Sequence, residues 1–378
     1  MLTRTGSLLF VAGWVAGGAG GAAAQTLPFT VNEIADFDVP WALEFLPDGR
    51  LLVSEQRGKL KLYAQGGAIG EITGVPAVSY GGQGGFGDVV LHPNFASNGL
   101  VYLSYAEAGP NDTRGAAVAR AKLDLRDNGG ELRDLAVIYR QEPKVEGAGH
   151  YAHRIAFAPD GHLFISNGDR QKFDPAQDMT GNLGKIVRLN DDGSVPRDNP
   201  FAERGGVTAQ IWSVGHRNPL GLAFDSSGRL WDVEMGPMGG DELNLVRRGA
   251  NYGYPIVSNG DHYDGKVIPD HDTRPDFAAP AVFWNPVISP SSLLFYSGSE
   301  FPQWRGDAFI GGLSSQSIVR IELEGERARE AERYSMGMRI RALEQGPDGA
   351  IWVLEDEREG RGGRGRLFRL TARGASGQ

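Results

Sequence analysis

The sequence predicts an all-β protein, a six-bladed β-propeller of four-stranded antiparallel blades, and three observations carry that prediction. One unit recurs along the chain: an apolar pair or triplet, a Pro/Asp/Gly turn, a second apolar run, then a polar loop. Glycine accounts for 55 of 378 residues and is scattered rather than massed in one block, as many tight connections between short strands require. Hydrophobic residues make up 40% of the chain, enough to give such strands a core.

Residues 1–24 read as an export signal. Arg4 supplies the positive start, Leu8-Leu9-Phe10-Val11-Ala12 opens an apolar segment, and Ala22-Ala23-Ala24 offers small residues for cleavage before Gln25. That segment is short and glycine-rich, and no later stretch is apolar and long enough to cross a bilayer, so no membrane span is expected. Residues 25–378 then form a single catalytic domain. Removing the leader takes the formal charge from −9 to −10, which argues against a nucleic-acid partner. Zero cysteines exclude disulfides, thiolate chemistry and Cys-based metal sites.

The first repeat is Leu43-Glu44-Phe45, Pro47-Asp48-Gly49 and Leu51-Leu52-Val53. The second is Val89-Val90-Leu91-His92-Pro93 with Gly99 to Leu103, and the third lies within Gly147–Arg170. The fourth is Leu222-Ala223-Phe224, Asp225 to Gly228 and Leu230-Trp231. A weaker fifth spans Phe301 to Gly312, and the sixth joins Arg341-Ala342-Leu343 to Ile351-Trp352-Val353 through Pro347-Asp348-Gly349. Six copies in the roughly 350 residues after the leader leave about 60 each, room for four strands and their loops. Arg366 to Leu370 is expected to pair near Phe29 to Phe37 and complete the last blade.

The third repeat holds the chemistry. Ile155-Ala156-Phe157-Ala158 and Leu163-Phe164-Ile165 flank Pro159-Asp160-Gly161, a hairpin pattern. An antiparallel pair brings its outer ends together, so His150, His153 and Arg154 should lie near Asp169 and Arg170. A histidine beside a carboxylate is a usable base, because the carboxylate orients the ring and stabilises its protonated form. His150-x-x-His153 is not read as a zinc site, since no H-E-x-x-H accompanies it. Gly81-Gly82-Gln83-Gly84-Gly85 leads into a strand pattern, not a helix, and is no nucleotide fingerprint. The Gly/Arg run from Gly360 to Arg366 reads as a solvated loop.

Arg217-Asn218 precedes the fourth repeat and Arg339-x-Arg341 the sixth, at corresponding edges, so both should point to one mouth. Converging guanidinium groups suit a ligand with several carboxylates. Glu234 to Glu242, followed by Asn251-Tyr252-Gly253, is rich in carboxylates and exposed carbonyls, the donors calcium takes. The acidic loop from Asp261 to Asp272 is a second cation candidate.

Val39-Pro40-Trp41-Ala42, Gly82-Gln83-Gly84-Gly85, His150 to Arg154, Asn167-Gly168-Asp169, Gly215-His216-Arg217-Asn218-Pro219, Gly236 to Asn244 and Arg339-Ile340-Arg341 occur in this order over Phe29 to Leu370. Together they resemble the pyrroloquinoline-quinone (PQQ)-dependent soluble aldose sugar dehydrogenases, the glucose/sorbosone dehydrogenase family. The resemblance implies a six-bladed propeller, with His150 as catalytic base, Asp169 as its supporting carboxylate and Arg217 stabilising charge. It implies Gln83, Arg217, Asn218, Arg339 and Arg341 as quinone-holding residues, with Tyr263 and Trp284 flanking the cofactor. The Gly236 and Pro237 carbonyls match those that hold the catalytic calcium. Glu242 and the Tyr252 carbonyl fall where many members bind a second Ca2+. Two departures stand out: Ser314-Ser315 occupies a place where some members carry a Lys or Arg, and His153 replaces a small residue.

The implied reaction oxidises an aldose at its anomeric carbon to a lactone in a periplasm, and an electron acceptor outside the chain then reoxidises the quinone. Two other readings of the same residues are a calcium-dependent propeller lactonase and a non-catalytic binding propeller. The first has no use for Arg339 and Arg341 at the mouth. The presence of both His150 and Asp169 argues against the second.

Overall fold

Alternating side chains let Phe29–Asp38 and Arg364–Ala372 lie side by side: they pair antiparallel, with Val31 opposite Leu370 and Phe37 opposite Gly365. With Ile351–Glu355 and Ile340–Gln345 they make one four-stranded sheet from both ends of the described chain. The computed structural model describes residues 26–64, 66–356 and 363–374; residues 1–24, read from the sequence as an export signal, lie outside them. The protein is all-β, and its strands form repeated four-stranded antiparallel units. Two of these are Pro40–Phe45, Leu51–Glu55, Lys59–Tyr63, Ile69–Thr73 and Phe86–Leu91, Leu100–Ala108, Arg114–Arg126, Gly129–Arg140. A parallel contact of Ile72 with Gly130 joins them into an eight-stranded sheet. Three more sheets begin with Ala152–Phe157, Pro219–Phe224 and Pro290–Phe295.

The first strands of successive units lie against one another, and Ile340–Gln345 lies against Pro40–Phe45. Apolar faces of neighbouring units meet in separate clusters, for example Ala156, Phe164, Ile186, Leu222 and Leu230. The hairpin turns follow the sequence: Leu46 donates to the Arg50 carbonyl across Pro47-Asp48-Gly49, where Gly49 takes φ +86°. One expectation fails. The fifth repeat, placed at Phe301 to Gly312, begins with Pro290–Phe295 instead, and Pro302–Trp304 is a 3-10 turn between it and Ala308–Gly312. Turn bonds from the Trp304 N–H to the Phe301 carbonyl at 2.9 Å and from the Asp307 N–H to the Trp304 carbonyl at 3.0 Å curl this run back on itself, so it does not extend as a strand.

Each first strand slips register at its start: between Pro40 and Ala42, Phe86 and Val89, Ala152 and Ile155, Pro219 and Gly221, Pro290 and Ser292, and Ile340 and Ala342. A bulge re-aims the side chains around it. Arg154 ties these strands together. It pairs with Asp88 at 3.1 Å, donates from Nε to the Leu220 carbonyl at 2.6 Å and from Nη2 to the Ser291 carbonyl at 2.8 Å. Its guanidinium also lies 3.9 Å from the centre of the Trp41 ring. Arg154→Met should therefore cost about 3–5 kcal/mol of stability in a denaturant titration, because Asp88 is left buried without its partner. A loss below about 1 kcal/mol would remove this tie from the account.

Candidate active site

The antiparallel pairing of Ala152 with Asn167 places the segment before one strand beside the segment after the other. There the His150 Nδ1 meets Asp169 Oδ1 at 2.6 Å, with Asp169 fully buried and His150 6% exposed. The carboxylate accepts a hydrogen bond from the Nδ1–H, which leaves Nε2 as the ring's acceptor. Asp169 Oδ1 also accepts from the Gln171 N–H at 2.9 Å, and Oδ2 accepts from the Phe173 N–H at 3.2 Å. Gln83 Oε1 accepts from the His150 N–H at 2.7 Å. Burial first, then the positive charges of Arg217 and Arg170, hold the imidazole below its ordinary pKa against the opposing pull of Asp169. The ring is thus a neutral base.

Arg170, which the sequence placed near His150 without a role, holds this segment in shape. Its guanidinium donates to the carbonyls of Gly149 at 2.8 Å, Gly147 at 2.6 Å and Arg114 at 2.6 Å, over the face of Tyr151. Glu234 does the same for the next segment: Oε2 accepts from the Arg217 N–H at 2.6 Å and the Asn218 N–H at 3.2 Å, and Oε1 contacts His216 Nδ1 at 3.1 Å. Arg217 donates from Nη1 to the Met235 carbonyl at 2.9 Å. Its Nε, and both polar atoms of the Asn218 amide, are buried without a hydrogen-bond partner among the described residues. Such groups are costly unless something satisfies them.

Three adjoining cavities open here. One of about 280 Å³ is lined by Gln83, His150, Arg217, Gly236, Pro237 and Tyr263. A second, of about 440 Å³, shares Gln83, Met235 and Ser289 with it and is bounded by Arg339, Arg341 and Asp356. The third, of about 570 Å³, shares His150, Arg217 and Tyr263 and opens outward. Asn218 is buried and is not in these linings. Asp356 binds Arg339 Nε at 2.8 Å and Arg341 Nε at 2.7 Å, so one carboxylate holds both side chains at the cavity wall.

Whereas His153 lines the second cavity, Trp284 and Ser314 stand apart from this site. Trp284 does not flank it: the indole packs with Trp231, Val233 and Leu243 and donates to Glu330 at 2.6 Å. Its strand pairs on the outside of Asp241–Leu245, which carries the ring away from the opening. Ser314 accepts from the Ser289 hydroxyl at 2.8 Å and lies outside the cavity linings, although Leu313 is in them. His153 turns to Ser104 at 2.8 Å and stacks on Trp41, while His150 turns to Asp169, so the two rings serve different partners. Burial and the Arg154 charge press His153 down to about 3, and it stays neutral.

The Gly236 loop is tight. A Cβ at 236 would lie 2.2 Å from the Gly240 carbonyl oxygen, and the Gly236 N–H donates to Asp241 at 2.9 Å. Burial lifts Asp241 to about 6, against the N–H groups of Ser289, Gly236 and Ile288. A small space of about 10 Å³, which shares Arg217, Gly236 and Pro237 with the first cavity, is lined by Glu242 and Tyr252 with Glu234, Gly240 and Ser258 and has room for a single ion or water. His216, Asp232 and Glu234 bring metal-ligating atoms within 4.8 Å of one another beside it. Burial and neighbouring carboxylates push Asp232 well above its ordinary pKa and raise Glu242.

An oriented neutral base, an arginine with an unsatisfied N–H and a guanidinium-walled hollow at one end of an all-β array define an enzyme built to handle a proton beside an anionic group. The chain belongs to the Glucose / Sorbosone dehydrogenase family, whose model matches residues 37–369. It is 39% identical to the aldose sugar dehydrogenase YliI of Escherichia coli over 88% of this chain and 92% of that protein. The solved apo-form of the E. coli soluble aldose sugar dehydrogenase superposes with a TM-score of 0.86 at 37% identity, covering 91% of this chain and 100% of that one. The PQQ-bound aldose sugar dehydrogenase of Streptomyces coelicolor superposes at 0.73 with 29% identity, over 91% of this chain and 98% of that one.

Proposed function

We propose that this chain is an exported, periplasmic dehydrogenase on a six-bladed propeller, which oxidises aldoses at the anomeric carbon with PQQ and calcium. The blade count is supported by the first strands meeting in sequence order, with the last against the first. The observation that carries the activity is the His150–Asp169 pair opening on the same cavity as Arg217, continuous with the wall of Arg339 and Arg341. The residues present fit the quinone: it carries three carboxylates, and the cavity walls offer three arginines, one of them with an unsatisfied Nε at Arg217. They fit calcium too, through Gly236 and Pro237 in the cavity wall, with Glu242 and the Tyr252 carbonyl at a second position.

Held by Gln83, Arg217, Arg339 and Arg341, PQQ would supply the hydride acceptor for the sugar C1, and calcium at Gly236 and Pro237 would supply a Lewis acid beside it. His150 Nε2 takes the proton of the C1 hydroxyl as that hydride leaves. Asp169 fixes the ring and stabilises the imidazolium that results. Arg217 faces the negative charge that develops beside it. Arg339 and Arg341, braced by Asp356, hold carboxylates at the far wall. The lactone leaves by the wide opening, and an external acceptor removes the electrons. Among the described residues no helix is long and apolar enough to cross a membrane.

Dye reduction by the purified protein with an aldose tests this, run with and without added PQQ and calcium. Activity should require both. Aldose oxidation that ignores added quinone, or lactone hydrolysis in its place, would overturn the reading.

A further inference from the structure

Phe173 is held where a phenylalanine does not ordinarily go. Its ring is 45% exposed and belongs to none of the apolar clusters between sheets. Its backbone takes φ +64° with ψ −92°, and Arg170 and Gln171 also have positive φ, at +54° and +59°. Each such residue costs about 1–2 kcal/mol relative to ordinary backbone. The surroundings impose all three: Asp169 takes the Gln171 and Phe173 N–H groups, the Lys172 N–H donates to the Asp169 carbonyl at 3.0 Å, and Arg170 is pinned by three carbonyls. The carboxylate that orients His150 therefore also sets the position of the Phe173 ring.

That ring meets His262 edge-on, with centroids 5.6 Å apart. The two side chains line the cavity of about 570 Å³ that leads outward from His150 and Arg217, together with Tyr254 and Tyr263. Charged groups stand among the rings: Lys172, Asp174, Asp264 and Lys266. Aromatic faces with interspersed donors and acceptors suit a molecule with an apolar C–H face and a hydroxyl edge. A wholly apolar ligand would strip water from four charges without return.

We propose that Phe173 and His262 form a platform for a second sugar ring, adjacent to the one that reacts at His150. The site then selects reducing disaccharides and longer chains over monosaccharides. This rests on the sugar-dehydrogenase reading above and adds a specificity-determining residue to it.

The test compares glucose with cellobiose in the PQQ- and calcium-loaded enzyme and, by calorimetry, in the cofactor-free protein. In wild type, cellobiose should bind more tightly than glucose. Phe173→Ala should raise the KM and Kd for cellobiose about tenfold, the equivalent of about 1.4 kcal/mol, with kcat held and a much smaller change for glucose. Phe173→Trp should restore the preference, and His262→Ala should weaken it in the same direction. Equal shifts for both sugars, or no tighter binding of cellobiose by wild type in calorimetry, would overturn the platform. Absence of quinone-dependent turnover with either sugar would instead sink the dehydrogenase reading, and the calorimetry would still decide the platform.

Discussion

His150→Ala should lower PQQ-dependent aldose turnover by about 10²–10⁴-fold, the range a positioned general base contributes. Quinone binding, followed by absorbance titration, should remain close to wild type, because the imidazole is engaged by Asp169 and the Gln83 contact is to the backbone N–H, which alanine retains. Equal loss of turnover and quinone binding would make His150 a cofactor anchor instead. The pH profile gives a second readout. Burial, Arg217 and Arg170 depress the ring below its ordinary 6.5, so the acid limb of kcat/KM should fall below pH 6.5. Asp169→Asn removes the group that raises this pKa, so it should move the limb further acid while lowering the rate. The same depression has a stability consequence with a fixed sign. As pH falls through 6.5 the unfolded chain takes up this proton before the folded one, so stability declines toward the folded pKa.

The second large effect concerns the far wall. Arg341→Ala should weaken quinone binding by roughly 10–150-fold, from the loss of a charge-assisted contact worth about 1.5–3 kcal/mol. Arg339→Ala should act in the same direction, and the double variant should fall short of the product, since Asp356 braces both side chains. Once quinone is saturating, kcat should recover. A variant that binds quinone normally yet turns over slowly would move Arg341 from cofactor binding into the chemical step.

What the sequence made legible was local. The Pro159-Asp160-Gly161 hairpin forces the ends of its strands together, and that alone predicts His150 beside Asp169. The pairing of the last strand with the first follows from their alternating patterns. Residues whose roles depend on distant partners were less visible. Nothing near Arg339 and Arg341 in sequence announces Asp356 as their shared brace, and Glu234 was visible only as one carboxylate in a cation-binding segment. Trp284 was misplaced because loop proximity in sequence does not say which edge of a sheet a strand joins. The register slips at the start of each first strand were also hidden, since a bulge interrupts the period-two pattern on which strand reading rests. Those slips surround the opening. The Phe173 backbone belongs to the same class: its positive φ is imposed by Asp169 and is foreign to its residue type.

The most direct measurement is a crystal structure of the protein soaked with PQQ and calcium. The account predicts one quinone in the continuous hollow between Gln83, Arg217 and Arg341, its carboxylates on guanidinium groups and His150 Nε2 facing the side a sugar would approach. A quinone lodged elsewhere, or His150 turned away from the bound molecule, would contradict it.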